Sequence, residues 1–153
     1  MSYTLDAAAA RTLLLGTRVD RATATLPQTT QAALFTVAGG RILLTSIVGE
    51  VTTIIQTQAN NTKLVANPTT GTDVDICAVL SITAKEVGCL FGITGLFSDA
   101  LVGANAGATV LPRNPVVLPV GTLDLSCAAS NTGSVKWSIT YVPFDAGASV
   151  VAA

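Results

Sequence analysis

The chain has no histidine and few charged or aromatic residues. Among its 153 residues, 11% are charged and 5% are aromatic. Without histidine it lacks the commonest general acid–base group, the base of a histidine-dependent triad and the imidazole ligands of a His/Cys zinc site. A phosphate-binding loop of the GxxxxGK[ST] type is also missing. The sequence therefore predicts a protein that is not an enzyme and that binds no cofactor or metal.

Charge of either sign is too sparse to form a surface for a highly charged partner. Eight basic and nine acidic residues give a net charge of −1. The one basic cluster consists of Arg11, Arg18 and Arg21, and Asp20 interrupts it. Because nucleic-acid binding requires a basic surface that neutralises phosphates, the sequence predicts no nucleic-acid partner.

Long apolar runs are missing too, although the mean hydropathy is +0.60. A membrane-spanning helix needs about 20 consecutive apolar residues, and polar residues interrupt every apolar run sooner than that. An acid, Asp6, stands where a secretory signal peptide carries its basic region. We therefore expect no membrane partner and a protein that stays in the cytoplasm in which it is made.

Few residues remain that could carry chemistry. Cys77, Cys89 and Cys127 are too few and too far apart for a disulfide framework, and free cysteine is usually a buried, unreactive side chain. Asp73 and Asp75 form the closest carboxylate pair. Such a pair suits a calcium site or a glycosidase, or it stands at the polar edge of a loop.

Hydrophobic residues, in contrast, make up 50% of the chain. A weakly charged chain of this composition needs a place for its apolar surface. Obligate subunit interfaces resemble a domain core cut in half, and they accommodate such surface. The composition thus favours a self-assembling structural protein.

Residues 1–25 are interpreted as an N-terminal arm. Asp6–Leu15 predicts a short helix, with an acid favourable at its start and Gly16 at its end. Isolated helices this short are marginal in water, so the arm either docks on a neighbouring subunit or stays loose. The residues that we expect to form an interface are Leu13, Leu14, Leu15 and Arg18.

Residues 26–153 predict a single β domain. Runs of strand-forming residues alternate with turn signals, and about eight short strands are typical of an antiparallel sandwich or barrel. Residues 31–37 and 41–48 predict a hairpin around Gly39-Gly40, with a bulge at Gly49. Residues 98–115 predict a long loop.

The strand at residues 134–142 has the clearest pattern. Alternate residues should share one covered face, namely Val135, Trp137, Ile139 and Tyr141. Trp137 and Tyr141 are then core aromatics whose polar atoms find partners at the rim. The alternative is an exposed platform on which a sugar or base stacks.

Two segments resemble small structural proteins of tailed bacteriophages. They are residues 25–40, which continue into residues 42–51, and residues 133–147. The resemblance implies an all-β, jelly-roll-like virion subunit that is made in the host cytoplasm and is often trimeric. Decoration, or cement, proteins of this type bind the major capsid protein where capsomers meet, and they reinforce the head.

Three hypotheses follow from these observations. The first is a phage capsid decoration subunit that associates with its own copies, with a trimer favoured, and with other virion proteins. The second is a tail or baseplate component of the same fold. The third is a carbohydrate-binding β module with Trp137 and Tyr141 as its exposed platform.

Overall fold

The computed structural model describes residues 4–153. Its elements, in chain order, are helix α1 (Ala7–Leu15) and strands β1 (Thr17–Thr25), β2 (Gln31–Ala38), β3 (Ile42–Thr53), β4 (Asn61–Pro68), β5 (Val74–Asp75), β6 (Leu80–Ser81), β7 (Leu90–Phe91), β8 (Val116–Leu118), β9 (Gly121–Cys127), β10 (Ser134–Pro143) and β11 (Ser149–Ala152).

The strands form two antiparallel sheets. Sheet A has the order β1-β10-β3-β7, with β8 also paired to β3. Sheet B has the order β11-β2-β9-β4-β5, with β6 also paired to β4. The predicted all-β antiparallel sandwich with a short N-terminal helix is confirmed.

The predicted hairpin of β2 and β3 is wrong, because the two strands lie in different sheets. Strand β2 pairs with β9 and β11, whereas β3 pairs with β10. Gly39 and Gly40, with φ of 77° and 147°, carry the chain from one sheet to the other. The same change of sheet occurs between β1 and β2, β3 and β4, β9 and β10, and β10 and β11. The long strands therefore find partners that are distant in sequence.

An ion pair fixes the crossing from β2 to β3. Arg41 donates from Nε and Nη2 to the carboxylate of Asp145, each at 2.8 Å, and its backbone N–H donates to the same group at 2.8 Å. These hydrogen bonds lower the pKa of Asp145 from 3.8 to about 2. The guanidinium also lies 4.9 Å from the ring centroid of Phe144. The turn after β10 is thus tied to the turn before β3.

The core lies between the sheets, and β10 supplies its largest side chain. Val135, Trp137, Ile139 and Tyr141 alternate along the strand and are all buried, as the sequence pattern predicts. Trp137 stacks on Phe91 at 6.1 Å between ring centroids. This pair joins the centre of sheet A to the short strand β7.

The structure gives a different reason for Gly49 than the predicted bulge. Strand β3 runs without interruption from Ile42 to Thr53, and Gly49 pairs with Trp137 in regular register. A Cβ atom at Gly49 would lie 2.7–2.9 Å from atoms of the Trp137 ring. The bulge prediction is therefore wrong: the glycine leaves room for the indole.

The cysteine prediction is confirmed. Cys77, Cys89 and Cys127 are buried free thiols. Burial raises the pKa of each thiol above its ordinary value, so the reactive thiolate is disfavoured at neutral pH.

Residues 69–120 contain little regular structure and cover the far edges of the long strands. Strands β5 and β6 lie along β4, and β7 and β8 lie along β3. Within residues 98–115, the pairs Ala78–Ala100 and Gly92–Val102 are isolated bridges. The predicted long loop is thus tied to the segments that precede it, and further backbone hydrogen bonds join it to Leu90 and Thr94.

Candidate interaction surface

Helix α1 has the predicted caps. The Asp6 carboxylate accepts a hydrogen bond of 2.7 Å from the backbone N–H of Ala9. Gly16 ends the helix at φ 88°, and its N–H donates to the carbonyl of Thr12 at 2.9 Å. Such caps satisfy backbone groups that a helix leaves unpaired at its ends.

The helix nevertheless packs little of its surface against the sandwich. None of its residues is buried, and the side chains of Leu13 and Leu14 are 75% and 80% exposed. Leu5, just before the helix, is also exposed. A nine-residue helix gains most of its stability from packing of an apolar face, and here that face meets solvent. Leu13 and Leu14 therefore form an exposed apolar surface on α1, and Leu5 adds to it just before the helix.

The C-terminal end of α1 is where the helix is attached. The Thr45 hydroxyl donates a hydrogen bond to the carbonyl of Leu15. Gly16 passes so close to β10 that a Cβ atom there would overlap the carbonyl oxygen of Tyr141. An open groove of about 640 Å³ separates the rest of the helix from sheet A, and Arg11, Thr12 and Arg18 are among its lining residues. The helix is therefore anchored at one end and stands away from the sheet.

The predicted boundary of the arm at residue 25 is wrong, because the sandwich begins directly after Gly16. Residues 17–25, which the sequence analysis assigned to the arm, form strand β1 and pair with β10 in sheet A. Within this strand, Val19 packs against the core. Of the described residues, 4–16 alone precede the sandwich.

Arg18 lies on the outer face of sheet A, where it contacts polar side chains. Its Nε donates to Asp20 Oδ1 at 2.8 Å, and Ser138 Oγ donates to the same oxygen at 2.6 Å. These hydrogen bonds, with that of Ser138 the larger, lower the pKa of Asp20 below its ordinary 3.8. Asp20 is thus negatively charged at neutral pH. The four predicted interface residues therefore have different surroundings: Leu13 and Leu14 are exposed on the helix, Leu15 ends the helix where it is attached to sheet A, and Arg18 lies on β1.

Trp137 and Tyr141 lie in the core and form no exposed platform. Their exposed fractions are 1% and 7%. The expectation that the indole N–H finds a partner is wrong, because Trp137 Nε1 is buried and has no hydrogen-bond partner among residues 4–153. The carbohydrate-binding hypothesis required both rings at the surface, so the structure removes its basis.

Sequence reasoning missed an apolar cleft between the two sheets. The cleft has a volume of about 200 Å³, and its lining includes Val74, Phe97 and Val117. These three side chains are each 44–48% exposed. They come from three segments that are far apart in the sequence, so no local pattern could have joined them.

The predicted carboxylate pair, Asp73 and Asp75, does not form a joint site, because each carboxylate has its own partner. Asp75 accepts from Lys63 Nζ at 2.6 Å, and Asp73 accepts from Gln31 Nε2 at 2.9 Å. Buried Asp124 accepts from the same Gln31 nitrogen at 2.9 Å. Across residues 4–153 no group of three or more His, Cys, Asp or Glu side chains is arranged to hold a metal ion. Within the same range no helix is long and apolar enough to cross a membrane.

Comparison with known proteins adds no relative. No protein-family model, curated protein or solved structure matches the chain. The function therefore has to be inferred from the chain's own surfaces.

Proposed function

We propose that this chain is a structural subunit of a tailed-phage virion, and that it serves as a capsid decoration protein. One observation carries the proposal: α1 is a capped helix that leaves Leu13 and Leu14 largely exposed. Burying one leucine side chain contributes roughly 1.5–3 kcal/mol. A helix of this kind is suited to dock on a second protein surface.

The sandwich supplies a support for that helix. Gly16 and the bond from Thr45 to Leu15 hold the C-terminal end of α1 on sheet A. The exposed leucines are thus presented at a defined place, which lowers the entropic cost of docking. When many copies attach to one particle, and copies also contact one another, such contacts add up through avidity.

Deleting residues 2–15 tests whether α1 attaches the subunit. Gly16 and β1 remain, so the sandwich should keep its fold and its thermal midpoint should change little, since no α1 residue is buried. Binding to purified phage heads that lack decoration protein should weaken about tenfold or more, because the two exposed leucines are lost. Cosedimentation of the labelled chain with the heads measures this affinity.

Two controls make the result specific. Val151→Ser removes an exposed apolar side chain at the edge of sheet B and should leave head binding unchanged. A longer deletion, of residues 2–24, also removes most of β1 and should reduce stability. If the chain without residues 2–15 binds heads as tightly as the full chain, attachment through α1 is wrong.

A further inference from the structure

The outer edge of β1 offers a row of unpaired backbone groups. Strand β1 is the edge strand of sheet A, and β10 pairs with its inner side. Among residues 4–153, no other backbone group bonds to the N–H or C=O groups of β1. No residue of the strand is buried. Such an edge is a template on which another strand can pair.

The regular part of this edge is five residues long. Thr17–Arg21 pairs with β10 without interruption, and the register shifts between Arg21 and Ala24. At the end of this stretch the Arg21 side chain is engaged, because its Nε donates to the carbonyl of Ala153, beyond the end of β11, at 3.3 Å. The free, regular edge is therefore centred on Val19.

The charges on this segment are self-complementary in one register. Arg18 and Asp20 face outward together, opposite Thr140 and Ser138, while Val19 faces the core. In an antiparallel pair of identical strands, opposite residues share a face. If the two-fold axis passed through Arg18, that residue would lie opposite Arg18 of the second copy. An axis through Asp20 would likewise place two aspartates opposite each other. A pair centred on Val19 places Arg18 opposite Asp20 of the second copy, twice.

From this complementarity we propose that two copies of the chain associate through antiparallel pairing of their β1 strands about a two-fold axis at Val19. Sheet A then continues from one copy into the other. The occupant of the edge is a second copy because, in this register, Arg18 and Asp20 of each copy both meet the opposite charge on the other. A two-fold contact of this kind is isologous: each copy contributes the same surface.

The pairing deepens the proposed function and rests on it, because it names the contact through which the structural subunit self-associates. It also predicts a dimer as the smallest assembly. The trimer that the phage resemblance implies would need a different, three-fold contact. The mass of the assembly in solution therefore distinguishes the two-fold dimer from the three-fold trimer.

Charge reversal tests the register directly. Asp20→Arg places two arginines opposite two arginines, and Arg18→Asp places two aspartates opposite two aspartates. Since opposite charges across strands stabilise and like charges destabilise, the dissociation constant of each variant should rise on the order of tenfold or more. Both side chains are exposed, so circular dichroism should show an unchanged fold. Sedimentation velocity over a concentration series measures the constants.

Mixing the two variants should restore dimerisation. The Asp20→Arg chain carries arginine at both positions and the Arg18→Asp chain carries aspartate at both, so every opposed pair between them joins opposite charges. An equimolar mixture should therefore form a heterodimer at concentrations at which each variant alone is mostly monomeric. The double variant with both substitutions should dimerise like the original chain. Lys136→Asp, on the same face of sheet A but on β10, is the matched control and should leave the dimer intact.

The outcomes separate this proposal from the proposed function. Dimers that weaken in both single variants and return in the mixture support β1 pairing. A trimer, or a dimer whose mass does not respond to these substitutions, overturns the pairing while self-association stands. A chain that stays monomeric at every concentration overturns the pairing and self-association, whereas the proposed attachment to heads is decided separately by the cosedimentation experiment.

Discussion

Replacing Trp137 by alanine should lower the free energy of unfolding by about 3–5 kcal/mol. The indole is 1% exposed, stacks on Phe91 and faces Gly49 across the β3–β10 ladder. Removing it leaves a cavity at the centre of sheet A, where the sheet cannot collapse without moving both neighbours. Because domains of this size are stable by roughly 5–15 kcal/mol, the loss is a large part of the total.

Urea unfolding followed by circular dichroism measures this change. Leu14→Ala is the matched control, since it also shortens a large apolar side chain but at a position that is 80% exposed. Surface substitutions of this kind change stability by about 0.5 kcal/mol or less. If Trp137→Ala cost no more than Leu14→Ala, the indole would not be a core residue in solution, and an exposed aromatic platform would return as a hypothesis.

Adding one methyl group at Gly49 should destabilise the chain by about 1–3 kcal/mol, the usual cost of overfilling a packed core. A Cβ atom there would lie 2.7–2.9 Å from three ring atoms of Trp137, and the indole is itself buried and stacked on Phe91. The backbone of Gly49 does not adopt a positive φ, so the cost is one of space and not of backbone conformation.

Gly107→Ala is the matched control for the steric cost of a methyl group at Gly49. Gly107 also lacks a positive φ, and a Cβ atom there would make an ordinary contact at 3.6 Å. The free energy of unfolding of the Gly107→Ala variant should therefore stay the same or rise slightly, since alanine restricts the unfolded chain. The fluorescence of Trp137, the only tryptophan in the chain, reports unfolding of both variants. Equal unfolding midpoints for Gly49→Ala and Gly107→Ala would contradict the packing described.

Local features of this fold are readable from sequence. Asp6 and Gly16 bound the helix because capping depends on residues within a turn of each helix end. The buried face of β10 follows from alternation, since successive residues of a strand point to opposite faces. These predictions needed only neighbours in the chain.

Strand partners were not readable in the same way. The Gly39-Gly40 turn suits a hairpin as well as a crossing, and only the pairing of β3 with β10 and of β2 with β9 decides between them. Gly49 likewise looked like a bulge, because the indole that needs its space lies 88 residues later in the chain, at position 137. Both errors come from contacts between residues that are distant in sequence.

The candidate surfaces were predicted in part. We expected the run of leucines to form an interface with another subunit, and the structure shows Leu13 and Leu14 exposed on this chain. The sequence did not reveal that residues 17–25 join sheet A, since their pairing depends on β10. Consequently the complementary spacing of Arg18 and Asp20 acquires meaning only when β1 is known to be an edge strand.

Self-association is the central claim, and the solution mass of the full chain tests it most directly. Size-exclusion chromatography with multi-angle light scattering, run over a concentration series, gives that mass without a reference shape. Our account predicts a mass above that of the 15.5 kDa chain, rising toward a dimer or a larger even-numbered assembly. A single species with the mass of one chain at every concentration would contradict it, and the β1 edge would then need another partner.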